Sequence, residues 1–334
     1  MSTVRPASPR IQLVDALRGL ASLAVVMVHY NSRLKWPVLE LGNLGVAVFF
    51  VLSGFVVTMS VGTAQIDARF LGRFALRRAL RLDPPYWATM AAVIGIGYAA
   101  SGTVKFEGVT APQVLAHMFY LQDALGYKPI LPVFWTLCYE VQFYLSLVLL
   151  LWAVQASGIR RHGVLLVTLV LSVADRFYAL TPAPFMGRFW FCFALGALVY
   201  EHYKQELRGA FVYVAIAAVF TFGLATSDGY AITSSLTAAV ISQALRLGYP
   251  NLLSGGVWQF LGRISYSLYL PHALFGWLAL RVAERFVPTV VAAVFGTAVA
   301  IVAAWFFYVL IERPAVRLSH AVSVAPKQAV PSPR

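Results

Sequence analysis

The segment LVDALRGLASLAVVMVHY, residues 13–30, is apolar apart from four polar side chains that recur at helical intervals. Asp15, Ser22 and His29 are spaced by seven residues and Arg18 follows Asp15 by three, so one helix face carries all four. Arg18 and His29 stand about 16 Å apart along the axis. The segment is long enough to cross a bilayer, where a charged side chain costs about 3 kcal/mol. We therefore expect a membrane helix whose polar face borders an interior in which something is bound or reacts.

The whole chain has the composition of a membrane protein. Of its 334 residues, 60% are apolar and 12% are charged, and the mean hydropathy is +0.75, whereas about 25% of residues are charged in soluble domains. Apolar runs of about twenty residues without alternation indicate helices. The predicted fold is all-α, a polytopic transmembrane bundle of about ten spans. The spans are residues 12–31, 44–63, 84–101, 133–154, 162–179, 187–201, 210–226, 231–246, 257–281 and 288–311.

The net charge of +13 is explained by topology rather than by nucleic-acid binding. If the N-terminus is inside, most Lys and Arg residues fall in cytoplasmic segments, and this positive-inside bias predicts that both termini are cytoplasmic. We expect a multi-pass protein of the plasma (inner) membrane that is in contact with membrane lipids. It would form one domain over residues 1–318, followed by a disordered tail at 319–334. The two cysteines show no metal-type or disulfide spacing, so no metal is predicted.

A second polar group lies in RFALRRALRLDPPYW, residues 73–87. Arg73, Arg77 and Arg81 are spaced by four, with Arg78 beside them, and would share a face of a short interfacial helix. One interpretation is a topology anchor on anionic lipid head groups. The other is a fork of guanidinium donors for phosphates, with Tyr86 as a further binding candidate.

Two more groups lie in predicted spans. In PVFWTLCYEVQFYL, residues 132–145, one side of the fourth span carries Trp135, Thr136, Glu140 and Tyr144. The Glu140 carboxylate is either a structural ion-pair partner or a group that orients an imidazole. In GRISYSLYLPHALF, residues 262–275, Tyr269 and His272 face one way beside a helix-breaking Pro271. His272 is either packed or part of a polar cavity.

Six strings in this order resemble the acyltransferase 3 family of integral-membrane O-acyltransferases. They are residues 13–30, 45–58 (GVAVFFVLSGFVVT), 77–87, 134–145, 264–275 and the closing ERP at 312–314. The resemblance implies about ten helices and transfer of an acyl group, commonly acetyl, from acyl-coenzyme A to hydroxyls of carbohydrate or similar acceptors. By motif match, the family's essential Arg and His correspond to Arg18 and His29, its RxxR motif to Arg78 and Arg81, and its motif glutamate to Glu140.

This resemblance suggests a membrane O-acyltransferase that uses cytoplasmic acetyl-CoA and a carbohydrate or glycolipid acceptor outside. Arg78 and Arg81, assisted by other arginines, would hold the phosphates of the donor. His29 would be the general base or would carry the acyl group itself, and Glu140 would orient it. The alternative is a secondary transporter in which intramembrane His, Glu and Arg side chains form a proton or substrate path. The sequence identifies neither the acceptor nor the acyl chain length.

Overall fold

The computed structural model describes residues 11–101, 109–182 and 185–322, and every regular element within those ranges is helical. Short 3₁₀ turns occupy Leu41–Leu44, Pro132–Phe134 and Met186–Phe189, and a wider π turn occupies Tyr308–Glu312. The helices are α1 (Gln12–Leu34), α2 (Pro37–Glu40), α3 (Gly45–Val61), α4 (Ala68–Ser101), α5 (Ala111–Met118), α6 (Trp135–Ser157), α7 (Arg161–Tyr178), α8 (Trp190–Tyr203), α9 (Gly209–Thr226), α10 (Gly229–Arg246), α11 (Gly256–Arg263), α12 (Ser265–Tyr269), α13 (His272–Ala283), α14 (Thr289–Phe307) and α15 (Arg313–Ala321).

Five helical stretches in the described ranges are long and apolar enough to cross a membrane: Gln12–Leu34, Pro37–Val61, Pro132–Ser157, Gly209–Thr226 and Thr289–Ala321. This confirms the prediction of an all-helical protein with membrane-spanning segments. The remaining apolar runs form helices that are shorter, interrupted or more polar.

Two predicted elements differ from those observed. The arginine segment is not a separate short helix, because α4 runs without a break from Ala68 to Ser101 through Pro84 and Pro85. Two prolines remove only two amide donors, and membrane helices tolerate this where neighbouring groups satisfy the freed carbonyls. Conversely, the single span expected at 257–281 is divided into α11, α12 and α13. Hydropathy hardly changes at these breaks, so an apolar run could not reveal them.

The contacts divide the chain into two compact units. The first comprises residues up to Val56 together with Phe191–Ile301, and the second comprises Val57–Trp190 together with the residues from Val302 onward. The expected disordered tail lies largely outside the described residues, although α15 continues through Ala321.

In the first unit, glycines allow two pairs of helices to approach closely. α1 packs on α11, and a Cβ on Gly19 would lie 2.7 Å from the backbone of Leu261 and Gly262. On α3 and α8, Cβ atoms on Gly54 and Gly196 would meet the backbone carbonyls of Phe193 and Val51. Small residues at such crossings are the usual device of membrane helices, because van der Waals packing replaces the hydrophobic effect in lipid.

In the second unit, α4 packs against α15 and α6, and α7 packs against the turn at Met186–Phe189. The Asp175 carboxylate fixes the chain after α7 by accepting hydrogen bonds from the backbone N–H and the hydroxyl of Thr181, both at 2.6 Å. Ser172 donates to the carbonyl of Gly187 at 2.5 Å. These partly buried bonds hold the loop before α8 against α7.

Candidate active site

Two predicted histidines meet in the first unit. His29 lies on α1 and His272 begins α13, 243 residues further along the chain. Nδ1 of His29 lies 3.2 Å from Nε2 of His272, and the ring centroids are 4.8 Å apart at an interplanar angle of 67°. His272 is buried with 1% of its surface exposed, whereas His29 is half-buried. The structure thus brings the first and the fourth polar group of the sequence together.

Backbone carbonyls hold both imidazoles. Nδ1 of His29 lies 2.8 Å from the carbonyl oxygen of Val25, one turn earlier on α1. Nδ1 of His272 lies 2.8 Å from the carbonyl oxygen of Tyr269. That carbonyl faces the imidazole because α12 ends at Tyr269, just before Pro271, whose ring interrupts the helical hydrogen-bond ladder.

Further contacts tie α1 to the helices that carry His272. Near the ends of α1 and α13, the guanidinium of Arg33 makes a forked ion pair with Glu284, with Nε and Nη2 each 3.0 Å from carboxylate oxygens. The hydroxyl of Tyr30 packs against Gly276, where a side chain would collide with it. α1 also contacts α12 directly. The spacing of the two histidines is therefore set by packing on both sides.

The other polar residues of α1 occupy different surroundings. Ser22 is buried and donates to the carbonyl of Gly19 at 2.8 Å, within its own helix. Asp15 and Arg18 are partly exposed, and Arg18 lies three turns from His29, as the spacing predicted.

In the second unit, Arg78 and Glu140 are linked through a residue whose role the sequence did not indicate. The hydroxyl of Tyr144 donates to the Glu140 carboxylate, and the guanidinium of Arg78 lies 4.8 Å from the centroid of the Tyr144 ring. Nη2 of Arg78 also donates to Ser60 at 3.0 Å. Tyr144 follows Glu140 by one helical turn, so the spacing showed a shared face but not the stacked arginine. These contacts fix the position of the Arg78 guanidinium.

Arg73, Arg77 and Arg81 lie one turn apart on α4 and are partly exposed. The charges of Arg77 and Arg81 act on the imidazole of His320, which α15 brings beside α4. Together with Arg78, this arginine cluster suits a ligand with several negative charges, because guanidinium groups bind phosphates through paired hydrogen bonds.

Two other candidates lie in aromatic packing. Tyr86 is fully buried between Tyr120 and Phe134, with ring centroids 4.8 and 4.5 Å away, so we assign it no part in donor binding. Trp135 is partly exposed and packs against Tyr139 and Phe189 at 5.6 and 5.9 Å.

His117 has the environment of a structural histidine. It is buried, Nδ1 faces the carbonyl of Gln113 at 2.8 Å, and Nε2 accepts the backbone N–H of Ile130 at 3.0 Å. Burial lowers the pKa of the His117 imidazole below its ordinary value. No group of three or more His, Cys, Asp or Glu side chains in the described part of the chain is placed to hold a metal ion.

The acyltransferase 3 model, described as an acyltransferase domain, matches residues 11–309. The chain belongs to the acyltransferase 3 family. It is accordingly an acyltransferase, and the resemblance seen in the sequence is confirmed. The match covers every residue of the histidine pair and of the Arg78, Tyr144 and Glu140 contacts.

Curated relatives agree with this assignment. The chain is 28% identical over 283 residues to a candidate acetyltransferase of Acidianus two-tailed virus. This alignment covers 78% of this chain and 82% of that protein. It is 29% identical over 157 residues to the peptidoglycan O-acetyltransferase OatA of Listeria monocytogenes, covering 43% of this chain and 24% of that protein. It is 24% identical over 307 residues to a candidate O-acetyltransferase of Staphylococcus aureus strain COL, covering 78% of this chain and 49% of that protein. The chain therefore spans less than half of the two bacterial relatives, and no solved structure matches it.

Proposed function

We propose that this protein is a membrane O-acetyltransferase that moves an acetyl group from cytoplasmic acetyl-CoA to a hydroxyl of an extracytoplasmic carbohydrate or glycolipid. The observation that carries the proposal is the half-buried His29 imidazole, held by a second histidine on an apolar helix of an acyltransferase family member. Membership in an enzyme family favours transfer over the transporter alternative. The carbohydrate acceptor is suggested by the peptidoglycan O-acetyltransferase relative.

The arginine cluster is proposed to bind the donor. Coenzyme A carries several phosphate charges, and Arg73, Arg77, Arg78 and Arg81 present guanidinium groups on adjoining turns of α4. Arg78 is held in place by Tyr144 and Ser60. Because Tyr144 donates to Glu140, we assign Glu140 a positioning role in this cluster. Arg18 is a further proposed cation for the donor.

The proposed chemistry needs a base. As the acceptor hydroxyl attacks the thioester carbonyl, its proton must leave the oxygen, and an imidazole is the side chain suited to take it up near neutral pH. The new ester C–O bond forms, the C–S bond breaks, and the imidazolium returns a proton to the departing sulfur. General base catalysis of this kind contributes about 10²- to 10⁴-fold.

A second version makes His29 the acyl carrier. The imidazole nitrogen would attack the thioester carbonyl, the C–S bond would break with departure of the coenzyme A thiolate, and the acetyl group would stay on the nitrogen. The acceptor oxygen would then form the ester bond as the N–C bond breaks. Incubation with radiolabelled acetyl-CoA without acceptor, followed by rapid quenching and mass spectrometry of the α1 peptide, separates the two versions. An acetylated His29 supports the covalent route, and its absence while acetyl-CoA is being hydrolysed supports the general base.

The transferase proposal is tested with purified protein in lipid nanodiscs. Wild type should bind and slowly hydrolyse acetyl-CoA, and it should transfer label to cell-envelope glycans. His29→Ala should abolish transfer, while His162→Ala, at the start of α7, should behave as wild type. Full transferase activity in His29→Ala, or a wild type that neither binds nor hydrolyses acetyl-CoA, would disprove the proposal.

A further inference from the structure

The hydrogen bonds of the two histidines determine where their protons lie. Nδ1 of His29 faces the Val25 carbonyl and Nδ1 of His272 faces the Tyr269 carbonyl, each at 2.8 Å. A carbonyl oxygen only accepts hydrogen bonds, so each Nδ1 must carry the hydrogen. In a neutral imidazole, the other nitrogen then keeps its lone pair.

The contact between the two rings follows from this assignment. Nε2 of His272, 3.2 Å away, accepts from Nδ1–H of His29, which it shares with the Val25 carbonyl. His272 is buried, and burial favours its uncharged form, which is the form with a free Nε2 lone pair. A single arrangement of protons satisfies all three contacts.

We infer that His272 is a positioning residue that, together with the Val25 carbonyl, holds His29 as the Nδ1–H tautomer and so leaves Nε2 of His29 as its reactive nitrogen. This inference rests on the proposed function and names the atom that acts in either version of the chemistry. The acceptor's proton is taken up at Nε2, or the acetyl carbon bonds there. Nδ1–H is never released.

The arrangement also supports the positive charge that forms on His29. When Nε2 takes up the proton, Nδ1–H becomes a charged donor, and hydrogen bonds from charged donors are stronger than neutral ones. Its two acceptors, the Val25 carbonyl and the lone pair of His272, are already in place and need not reorient. A buried neutral imidazole thus takes the place that a carboxylate fills in catalytic triads.

His272 itself is fixed by the break between α12 and α13. Its Nδ1–H is directed by the Tyr269 carbonyl, and the Tyr269 ring packs against Phe49 with centroids 5.5 Å apart. The imidazole therefore cannot turn its own N–H toward His29 without losing its backbone partner. A histidine that only filled space would not need this orientation.

Solid-state NMR of protein labelled with ¹⁵N-histidine in lipid tests the tautomer without any catalysis. The His29 signals are assigned from a His29→Gln difference spectrum, and His162→Gln serves as the control that should leave them unchanged. Wild type at pH 8 should show His29 with a protonated Nδ1 and an unprotonated Nε2. In His272→Leu, Nδ1–H of His29 keeps only the Val25 carbonyl as acceptor, so the population of the Nε2–H tautomer should rise above its wild-type level. A wild-type His29 protonated on Nε2, or a tautomer population unaffected by His272→Leu, would overturn the inference.

Kinetics with a matched pair of variants gives the second readout. Gln at position 272 can offer an oxygen where Nε2 lies, whereas Leu cannot, so we expect His272→Leu to lower kcat about 10- to 100-fold and His272→Gln to recover much of it. The KM for acetyl-CoA should change little in both. Equal kcat values for the Leu and Gln variants would contradict the inference. If no transferase activity exists in wild type, the proposed function fails, but the NMR result still decides the tautomer.

Discussion

The hydroxyl of Tyr144 joins two side chains that stand in separate sequence motifs. It donates to Glu140 while its ring lies under the guanidinium of Arg78. The position of the Arg78 guanidinium therefore depends on Tyr144, a residue that carries no charge. His29 likewise depends on the contact with His272. In both places a contacting side chain sets the position of the functional group.

Tyr144→Phe and Tyr144→Leu separate the two contributions of this residue. Phe keeps the ring beneath Arg78, so the KM for acetyl-CoA should rise only slightly. Leu removes a cation–π contact worth about 0.5–2 kcal/mol, and KM should rise about 3- to 10-fold with kcat nearly unchanged. The measurement is initial rate against acetyl-CoA concentration. An equal KM for the two variants would show that the stacked ring does not position Arg78.

His117 should make stability depend on pH. Its folded-state pKa is lowered by burial, so the fold favours the neutral form, and stability is complete above the ordinary value of about 6.5 and declines as pH falls below it. Protonation would also put a hydrogen on the Nε2 that accepts from Ile130. Burial raises the pKa of nearby Asp123, so this group makes stability rise as pH falls. Its effect occurs at lower pH, near the ordinary pKa of an aspartate.

The measurement is the thermal unfolding midpoint in detergent between pH 8 and pH 5.5. Wild type should lose stability over this range, and His117→Gln, which keeps an acceptor and cannot be protonated, should lose less. Parallel curves for the two proteins would assign the pH dependence to other groups.

At the scale of elements, close contact between α3 and α8 depends on glycine. A Cβ on Gly54 would collide with the backbone of Phe193, so Gly54→Ala should destabilise the protein by about 1–3 kcal/mol through overpacking. Gly95 on α4 faces open space, and Gly95→Ala should instead stabilise it by about 0.5–1 kcal/mol, since alanine favours helix. We expect the thermal unfolding midpoint of Gly54→Ala to lie below that of wild type and the midpoint of Gly95→Ala to lie above it. Equal shifts would refute the packing argument.

The sequence predicted some elements well and others poorly, for physical reasons. α1, α9 and α10 agree with their apolar runs to within a few residues, because charged or glycine residues bound those runs. The break before α12 went undetected because the apolar character continues through it. The break after α12 was indicated by Pro271. The meeting of His29 with His272 joins residues 243 apart, and no local pattern encodes such a contact.

At the scale of the whole molecule, we propose about ten crossings with both termini cytoplasmic, in the plasma (inner) membrane. Single cysteines test this after Cys138 and Cys192, both buried, are replaced by alanine. A membrane-impermeant maleimide should label Thr226→Cys, at the outer end of α9, in intact cells. Ser157→Cys, at the inner end of α6, should react only after lysis. The reverse pattern would invert the topology and remove the arginine cluster from the cytoplasmic donor.

The π turn at Tyr308–Glu312 sets the rotation of α15. A π turn holds one residue more than an α turn, so it advances the following helix by about 100°. In this phase α15 places Ala315 and Ser319 in the interior while Arg313 and Arg317 remain exposed. Without the extra residue, Val316 and His320 would take the inward places of Ala315 and Ser319. One surplus residue therefore acts as a phase shift that keeps the small residues of α15 inward and its arginines at the surface.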